Sequence, residues 1–178
     1  MADESFSLAA ALFPDETWVY LEDGIFMAQS RMSEITKEKS KWAKEYAQVK
    51  LLVQRGGIAY FLPEQRMGHS ERRCADVVLD GMVMEMKTVT GTREILGTEF
   101  KLGYKQGAEL VKNHPVISAH SVFIWLKSDL PVISVKAKIA GELKNRLDKG
   151  SFICFFDNSQ ELHSWTYEEL RAFIRPKK

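Results

Sequence analysis

The stretch over residues 74–87 constrains the fold of this chain more than any other. In it, two apolar runs flank Asp80-Gly81, and Asp-Gly between such runs is a strong short-range signal for a β-hairpin with a two-residue turn. The turn sets which residues face each other across the two strands. We predict four facing pairs, namely Leu79 with Met82, Val78 with Val83, Val77 with Met84 and Asp76 with Glu85.

The predicted register brings two carboxylates, Asp76 and Glu85, directly opposite each other on one face of the sheet. Because side chains alternate along a strand, Lys87 lies on the same face, two residues beyond Glu85. Like charges directly across a strand pair destabilise it, and folding alone does not require them. Val78 and Val83 share this face, so it is not a plain solvated surface. A divalent cation between the carboxylates would remove the conflict.

The elements on either side of the hairpin predict an α/β (α+β) fold with a mixed central sheet and flanking helices. Apolar spacing predicts helices over 30–55, 93–113 and 134–147, and a capping box at Thr166 and Glu169 predicts a last helix to Ile174. Other strands are predicted over 58–62, 121–126, 151–156 and 162–165, a polar loop over 65–73 and a turn-like segment over 88–92. The core order is therefore helix, strand, strand, strand, helix, strand, followed by C-terminal strands and a helix.

The length of 178 residues fits one domain with a short extension, and we divide the chain into an N-terminal extension with a hairpin over 1–30 and a main domain over 31–178. A hydrophobic content of 45% and a net charge of +1 fit a soluble globular protein and still allow a local basic surface. The two cysteines make neither a zinc spacing nor a disulfide framework. With no membrane-length apolar run and no signal peptide, we expect a cytoplasmic chain without a membrane partner, or a module of a longer protein.

The residue types on the carboxylate face suit hydrolysis of a phosphodiester. Carboxylates bind Mg²⁺ or Mn²⁺ and leave part of the coordination shell to water and a phosphate oxygen, and water on such an ion loses its proton more readily. Lys87 would orient or deprotonate the attacking water and neutralise charge at the phosphate. Glu45, at the edge of the apolar arc of the first helix, adds a carboxylate if that helix packs over the hairpin. A boundary glutamate that reaches water is the structural alternative for Glu45.

These residues resemble a known motif. The pattern Asp76-x8-Glu85-Met86-Lys87, preceded by Ala75 where proline is usual, looks like the PD-(D/E)xK phosphodiesterase motif. The predicted element order is similar to the core of that superfamily. The runs over 75–81, 85–91, 106–107 and 122–124 resemble the C-terminal tRNase toxin domains of contact-dependent growth inhibition proteins (CdiA) and related phage and mobile-element nucleases.

The resemblance implies a metal-dependent endonuclease that uses Mg²⁺ or Mn²⁺ and acts on RNA, tRNA in particular, rather than DNA. Asp76 and Glu85 would be the metal ligands, Lys87 the catalytic lysine and Glu45 the helix glutamate. It also implies a toxin domain delivered as part of a larger protein, with an immunity protein as its partner. The residues expected to contact the substrate are Thr88, Thr90, Arg93, Lys101, Lys105 and Gln106.

Two alternatives remain open from the sequence. Metal-free RNases of the barnase–colicin–RelE type include domains with a similar acidic, glycine and Glu-x-Lys stretch, and in that interpretation Glu85, Lys87, Thr88 and Thr90 provide acid–base and phosphate contacts. We rank it second, because two facing carboxylates are better explained with a cation. The other alternative is a nuclease-like fold that binds a partner without catalysis. The four histidines are scattered without metal-ligand spacing and do not favour either.

Overall fold

The computed structural model describes residues 3–63, 75–144, 152–156 and 161–174. The helices are α1 (Glu4–Leu12), α2 (Glu34–Lys37), α3 (Lys39–Val53), α4 (Arg93–Asn113), α5 (Val132–Leu143) and α6 (Tyr167–Ile174), and a 3-10 turn spans Gln29–Arg31. The strands are β1 (Trp18–Glu22), β2 (Ile25–Ala28), β3 (Ala59–Phe61), β4 (Val77–Leu79), β5 (Met82–Val89), β6 (His120–Leu126), β7 (Phe152–Phe156) and β8 (Leu162–Thr166).

The described strands form one mixed sheet in the order β1 to β8, so every strand pairs with its neighbours in sequence. The pairs β2–β3, β5–β6 and β6–β7 are parallel, and the other pairs are antiparallel. Parallel neighbours need a crossover, and α3, α4 and α5 lie on these connections. The predicted class, a mixed central sheet with flanking helices, is confirmed.

The hairpin has the predicted register. Val77 pairs with Met84, Val78 with Val83 and Leu79 with Met82. Asp80 and Gly81 both have positive φ, 48° and 74°, which is the type I′ geometry that matches the twist of two-residue hairpins. The Asp80 carboxylate also accepts a hydrogen bond from the Ile58 amide at 3.0 Å, which ties the turn to the start of β3. The local chemistry of the turn therefore fixes the register.

The two faces of the sheet bury different cores. Val77, Met84 and Met86 point toward α3 and pack with Val49 and Leu52. Side chains at the alternate positions point to the other face, where Val78 and Val83 join a cluster under α1 and Val122 and Ile124 join one under α4 and α5. The predicted alternation along β4 and β5 is confirmed. Glu85 and Lys87 therefore belong to the face covered by α4, opposite to the face covered by α3.

The single helix predicted over 30–55 is wrong in its first part, because the segment divides into the 3-10 turn, α2 and α3. The six residues between Ile35 and Trp42 are all polar or charged, so no apolar side chain holds a continuous helix on the sheet. The 3-10 turn also lets the Arg31 side chain enter the interior, where it is 2% exposed. From Trp42 onward the predicted apolar face is confirmed, with Tyr46 and Val49 in the core.

Other boundaries differ by a few residues. The turn-like segment predicted over 88–92 is wrong in part, because β5 continues to Val89 and pairs with β6 as far as Leu126. The bounds predicted for α4 and the end predicted for α6 are confirmed, and so is the capping box, with Glu169 and Thr166 joined by reciprocal hydrogen bonds of 2.7 and 3.2 Å. The predicted loop over 65–73 and the predicted helix end over 145–147 lie outside the described residues.

The N-terminal residues join the same sheet. The predicted hairpin is present as β1 and β2, and β2 pairs in parallel with β3 from Ile25 opposite Ala59 to Met27 opposite Phe61. Helix α1 packs Ala9 against the face that carries Val78. The predicted extension thus supplies two strands and a covering helix. Among the described residues, no helix combines the length and apolarity needed to cross a bilayer.

Candidate functional site

A buried charged cluster lies where β4 begins and β5 passes beside it. The Lys87 Nζ lies 2.7 Å from Glu85 Oε1 and donates a second hydrogen bond to Gln106 Oε1 on α4 at 3.1 Å. Asp76, just before β4, accepts a hydrogen bond at its Oδ2 from the Met86 amide at 2.7 Å. The structure therefore brings Asp76, Glu85, Lys87 and Gln106 together, as the sequence predicted.

Helix α4 approaches β5 and β6 closely because glycines face the sheet. A Cβ on Gly103 would lie 2.9 Å from Val122 Cγ1 and 3.3 Å from Glu85 Cγ. A Cβ on Gly107 would lie 2.4 Å from His120 Nδ1. Both distances to β6 are shorter than real Cβ contacts, so only glycine permits this spacing. The close approach is what allows Gln106 to reach Lys87.

Burial and mutual repulsion control the charges of the two carboxyls. The pKa of Glu85 is raised to about 8, first by burial and then by the nearby Asp76 charge, while Lys87 acts in the opposite direction. Burial also raises the pKa of Asp76, although the Met86 amide and the Arg31 charge favour its ionised form. Both carboxyls thus hold protons more tightly than exposed carboxyls do. A cation placed between them would reverse that tendency.

One carboxylate oxygen of the cluster has no hydrogen-bond partner among the residues that the structure describes. Glu85 is 3% exposed, and within the described part of the chain its Oε2 makes no hydrogen bond. A buried acceptor in this state costs about 1–3 kcal/mol, so a ligand that satisfies it is favoured. The described residues contain no group of three or more His, Cys, Asp or Glu side chains placed to share a metal ion. The pair Asp76 and Glu85 fits a divalent cation that takes its other ligands from water and substrate.

Glu45 lies on α3, and it is buried rather than turned to water. Its Oε2 lies 2.5 Å from the Arg31 guanidinium, and that guanidinium donates to the main-chain oxygens of Leu62 at 3.2 Å and Asp76 at 3.0 Å. The Glu45 charge acts on Glu85 and contributes to raising its pKa. Glu45 is therefore linked to the backbone of Asp76 through Arg31, from the α3 side of the sheet.

The structure places the remaining predicted substrate contacts on α4, at the end of β5 and on the α3 face of the sheet. Lys101 forms an ion pair with Glu142 on α5 at 3.0 Å, and Lys105 is exposed on α4. Arg93 is exposed in the first turn of α4, and Thr90 is exposed just after β5. Thr88 is half-buried on the α3 face, where it accepts a hydrogen bond from Gln48. Their roles as substrate contacts stay predictions.

Among the buried polar residues that were not predicted from the sequence, Arg31 and Gln48 contact residues of the site. Gln48 lies within 60° of Glu45 on the helical arc that also carries Leu52, and a glutamine on a largely apolar arc was a usable signal. Arg31 gave no such signal. Its partner Glu45 is 14 residues away, and the 3-10 turn that directs Arg31 inward depends on contacts with β3 and β4.

No family model matches the chain, and no curated protein matches it. A solved structure described as "CdiA-CT/CdiI toxin and immunity complex from Burkholderia pseudomallei" is similar, with 14% sequence identity and a TM-score of 0.43. The similarity covers 71% of this chain and 87% of that chain. A likeness at this TM-score does not indicate the activity of the chain.

Proposed function

We propose that this chain is a metal-dependent endonuclease of the PD-(D/E)xK type that hydrolyses phosphodiester bonds in RNA. The observation that carries the proposal is the buried cluster, in which Asp76 and Glu85 lie beside Lys87 and Glu85 Oε2 has no hydrogen-bond partner among the described residues. Buried groups that repel each other and leave an acceptor unsatisfied destabilise a fold, so a ligand is their most economical explanation. The motif resemblance supports the choice of reaction, and tRNA is the RNA that it implies.

Asp76 and Glu85 would hold Mg²⁺ or Mn²⁺ in this proposal. When bound, the divalent cation supplies Lewis acidity at the scissile phosphate and a counter-charge for the two carboxylates. The Met86 amide donates to Asp76 Oδ2 and thereby fixes the orientation of that carboxylate. The oxygen of Glu85 without a described hydrogen-bond partner is the atom best suited to bind the ion.

Lys87 would act on the phosphate. An ammonium group has three N–H donors, and Glu85 Oε1 and Gln106 Oε1 use two of them at 2.7 and 3.1 Å. The third donor remains for a phosphate oxygen, where it would stabilise the negative charge that develops in the transition state. Gln106 holds Lys87 in place, so we assign it as a positioning residue.

Cleavage assays on the purified chain test the proposal. With Mg²⁺ or Mn²⁺ present, we expect the wild-type chain to cleave tRNA and Glu85→Gln to lose at least about a hundredfold in rate with little change in thermal midpoint. Glu109→Gln, at an exposed position of α4, is the matched control and should keep wild-type activity. Full activity in Glu85→Gln would overturn the proposal.

Chelation separates this mechanism from the metal-free alternative. With a pKa of about 8, Glu85 gains and loses its proton near neutral pH. This property suits a general acid or base in a metal-free RNase. EDTA should abolish cleavage if Asp76 and Glu85 hold an ion, and it should leave cleavage intact if Glu85 acts alone. A chain that cuts neither tRNA nor plasmid DNA with Mg²⁺ or Mn²⁺ present would be a binding module.

The toxin resemblance extends the proposal to the biological setting. We propose that the domain acts as a toxin delivered from a larger protein and that an immunity protein inhibits it. Expression of the wild-type chain inside cells should then arrest growth, whereas Glu85→Gln should be tolerated. Equal tolerance of both chains would remove the toxin assignment and leave the nuclease assignment to the cleavage assay.

A further inference from the structure

A concave surface lies on the α3 side of β5, on the opposite face of the strand from the charged cluster. This pocket has a volume of about 230 Å³, and its lining residues include Lys41, Lys44, Glu45 and Gln48 of α3 and Met86 and Thr88 of β5. Pockets for complete small ligands usually measure about 300–1,000 Å³. The pocket is therefore the right size for a part of a larger ligand, such as one sugar and its phosphate.

Gln48 lines this pocket and carries a buried acceptor that no described residue satisfies. Its Nε2 donates to Thr88 Oγ1 at 2.6 Å and lies 3.4 Å from the Lys87 main-chain oxygen. Because a main-chain oxygen only accepts, the amide nitrogen must be on that side, and the orientation of the Gln48 side chain is fixed. Gln48 is 1% exposed, and its Oε1 has no hydrogen-bond partner among the described residues. A ligand with an O–H or N–H group would satisfy it.

The rim of the pocket is basic. Lys41 and Lys44 are both exposed there, one helical turn apart on the same side of α3. Glu45, the carboxylate in the lining, is paired with Arg31 at 2.5 Å. Lys41 Nζ lies 3.9 Å from Glu45 Oε1 and 3.8 Å from Glu38 Oε2, and Lys44 adds a further positive charge to the rim. Such a rim attracts an anion such as a phosphate. The ligand that fits has a phosphate beside a hydrogen-bond donor.

The pocket and the cluster share one strand. Met86 and Thr88 alternate along β5 with Glu85 and Lys87, and successive residues of a strand are about 3.3 Å apart. Gln48, which lines the pocket, has its Nε2 3.4 Å from the main-chain oxygen of Lys87, so the pocket and the cluster are close. β4 pairs with β5 only from Met82 to Met84, so no described strand covers the edge of β5 beside Lys87. A polynucleotide whose scissile phosphate lies at Lys87 would pass around this edge and bring a neighbouring nucleotide to the pocket on the opposite face.

We propose that this pocket binds the ribose and phosphate of an RNA nucleotide next to the scissile bond, with Gln48 Oε1 accepting a hydrogen bond from the 2′-hydroxyl and Lys41 and Lys44 binding the phosphate. The inference rests on the proposed function and deepens it, because it assigns the preference for RNA to a residue. DNA lacks the 2′-hydroxyl and leaves Gln48 Oε1 unsatisfied. One hydrogen bond of this kind corresponds to about a tenfold difference in affinity.

Equilibrium binding to a catalytically inactive protein tests the assignment. In the Glu85→Gln background, fluorescence anisotropy with a short RNA oligomer and a DNA oligomer of the same sequence should give about tenfold tighter binding to RNA. Gln48→Leu in that background should remove the preference by weakening RNA binding and leaving DNA binding unchanged. Gln48→Leu that keeps the RNA preference, or that weakens both oligomers equally, would overturn the proposal.

The lysines make a separate prediction within the same assay. Lys44→Ala should weaken RNA and DNA binding equally and lower the slope of log K against log salt by about one. Lys39→Ala is the matched control, because Lys39 is an exposed lysine of α3 outside the pocket lining, and it should change neither value. Equal effects of the two lysine variants would contradict a phosphate site at Lys44.

Two measurements keep the proposal falsifiable if Gln48→Leu does not fold and separate it from the proposed function. RNA oligomers with single 2′-deoxy substitutions should bind the protein with Gln48 intact, and substitution at one position should lower the affinity about tenfold. Equal affinity for every substituted oligomer would overturn the assignment. If the wild-type chain cuts neither RNA nor DNA but binds RNA through Gln48, the nuclease proposal is wrong and the assignment of the pocket as an RNA-binding site is supported. If the wild-type chain cuts and Gln48→Leu keeps the RNA preference, the pocket assignment fails and the nuclease proposal stands.

Discussion

Two buried charged groups flank β5, and their environments give them different roles. Glu85 on the α4 side has an oxygen without a described partner, a pKa raised to about 8 and a lysine beside it. Glu45 on the α3 side is held by Arg31, which also binds two main-chain oxygens. The first arrangement is poised to bind a ligand, whereas the second fixes the backbone of Asp76. We therefore assign Arg31 as the residue that positions Asp76.

Because Arg31 holds both Glu45 and the backbone of Asp76, we predict that replacing Arg31 causes a large loss of folding stability. Arg31→Met would leave the Glu45 carboxylate buried without its main counter-charge, and breaking such a pair costs about 3–5 kcal/mol. Urea unfolding should show this loss. The control Arg55→Met replaces an exposed arginine just after α3 that donates a hydrogen bond to the Leu51 main-chain oxygen at 2.7 Å, and it should cost no more than about 1 kcal/mol. Adding Glu45→Leu to Arg31→Met should recover much of the loss, and no recovery would contradict the pairing.

Local chemistry explains which residues of the site the sequence predicted. Asp76, Glu85 and Lys87 belong to one hairpin, and the Asp80-Gly81 turn alone determines that they share a face. The partners of Glu45 and Thr88 are set by how α3 packs on the sheet. A pattern within one segment does not contain that information, so the environment of Glu45 had to come from the structure.

At the scale of elements, the spacing between α4 and the sheet controls the site. The glycines of α4 lower its helix propensity by about 1 kcal/mol each, and the sequence alone gives no reason for them. The structure explains them, because Gly103 and Gly107 contact Val122 and His120 without a Cβ between. The cost in propensity is offset by packing, and the result is the contact between Gln106 and Lys87.

A pair of alanine substitutions tests this account. Gly107→Ala would place a Cβ 2.4 Å from the buried His120 ring, which packs edge-on against Tyr104, and overpacking of this kind costs about 1–3 kcal/mol. Gly141→Ala in α5 meets no atom within 4 Å and should stabilise the chain by up to about 1 kcal/mol. Thermal unfolding measures both. Stabilisation by Gly107→Ala would show that α4 does not need its glycines.

The predicted elements are correct where the residues of one segment determine its structure. They are wrong where contacts with other segments determine it. The α4 bounds and the capping box at Thr166 follow from local patterns and were predicted. The 3-10 turn at 29–31 exists because Arg31 binds Leu62 and Asp76, and β5 runs to Val89 because β6 pairs with it that far. These contacts are distant in sequence, so periodicity within the segment cannot reveal them.

At the scale of the whole molecule, the N-terminal residues are bound to the hairpin of the site. The Ser5 hydroxyl accepts a hydrogen bond from the Gly81 amide at 3.0 Å and donates one to the Ile58 main-chain oxygen at 2.9 Å. Tyr60 stacks on Phe26 with ring centroids 4.7 Å apart and donates to Asp3 at 2.7 Å. Helix α1 and the β1–β2 hairpin thus cover β3 and the turn that sets the carboxylate register.

Deletion of residues 1–28 tests whether the predicted extension is separable from the domain. The shortened chain keeps Arg31 and every predicted site residue, but it loses β2, one of the two partner strands of β3, and uncovers the buried Tyr60 and Val78. Because an uncovered apolar face and a free strand edge favour aggregation, we expect low soluble yield and no cooperative unfolding by circular dichroism. Ser5→Ala, the matched single change, should remain folded and lose about 1–2 kcal/mol. A shortened chain that unfolds cooperatively at the wild-type midpoint would show that residues 1–28 are an appendage, and the hairpin turn would then need no support from α1.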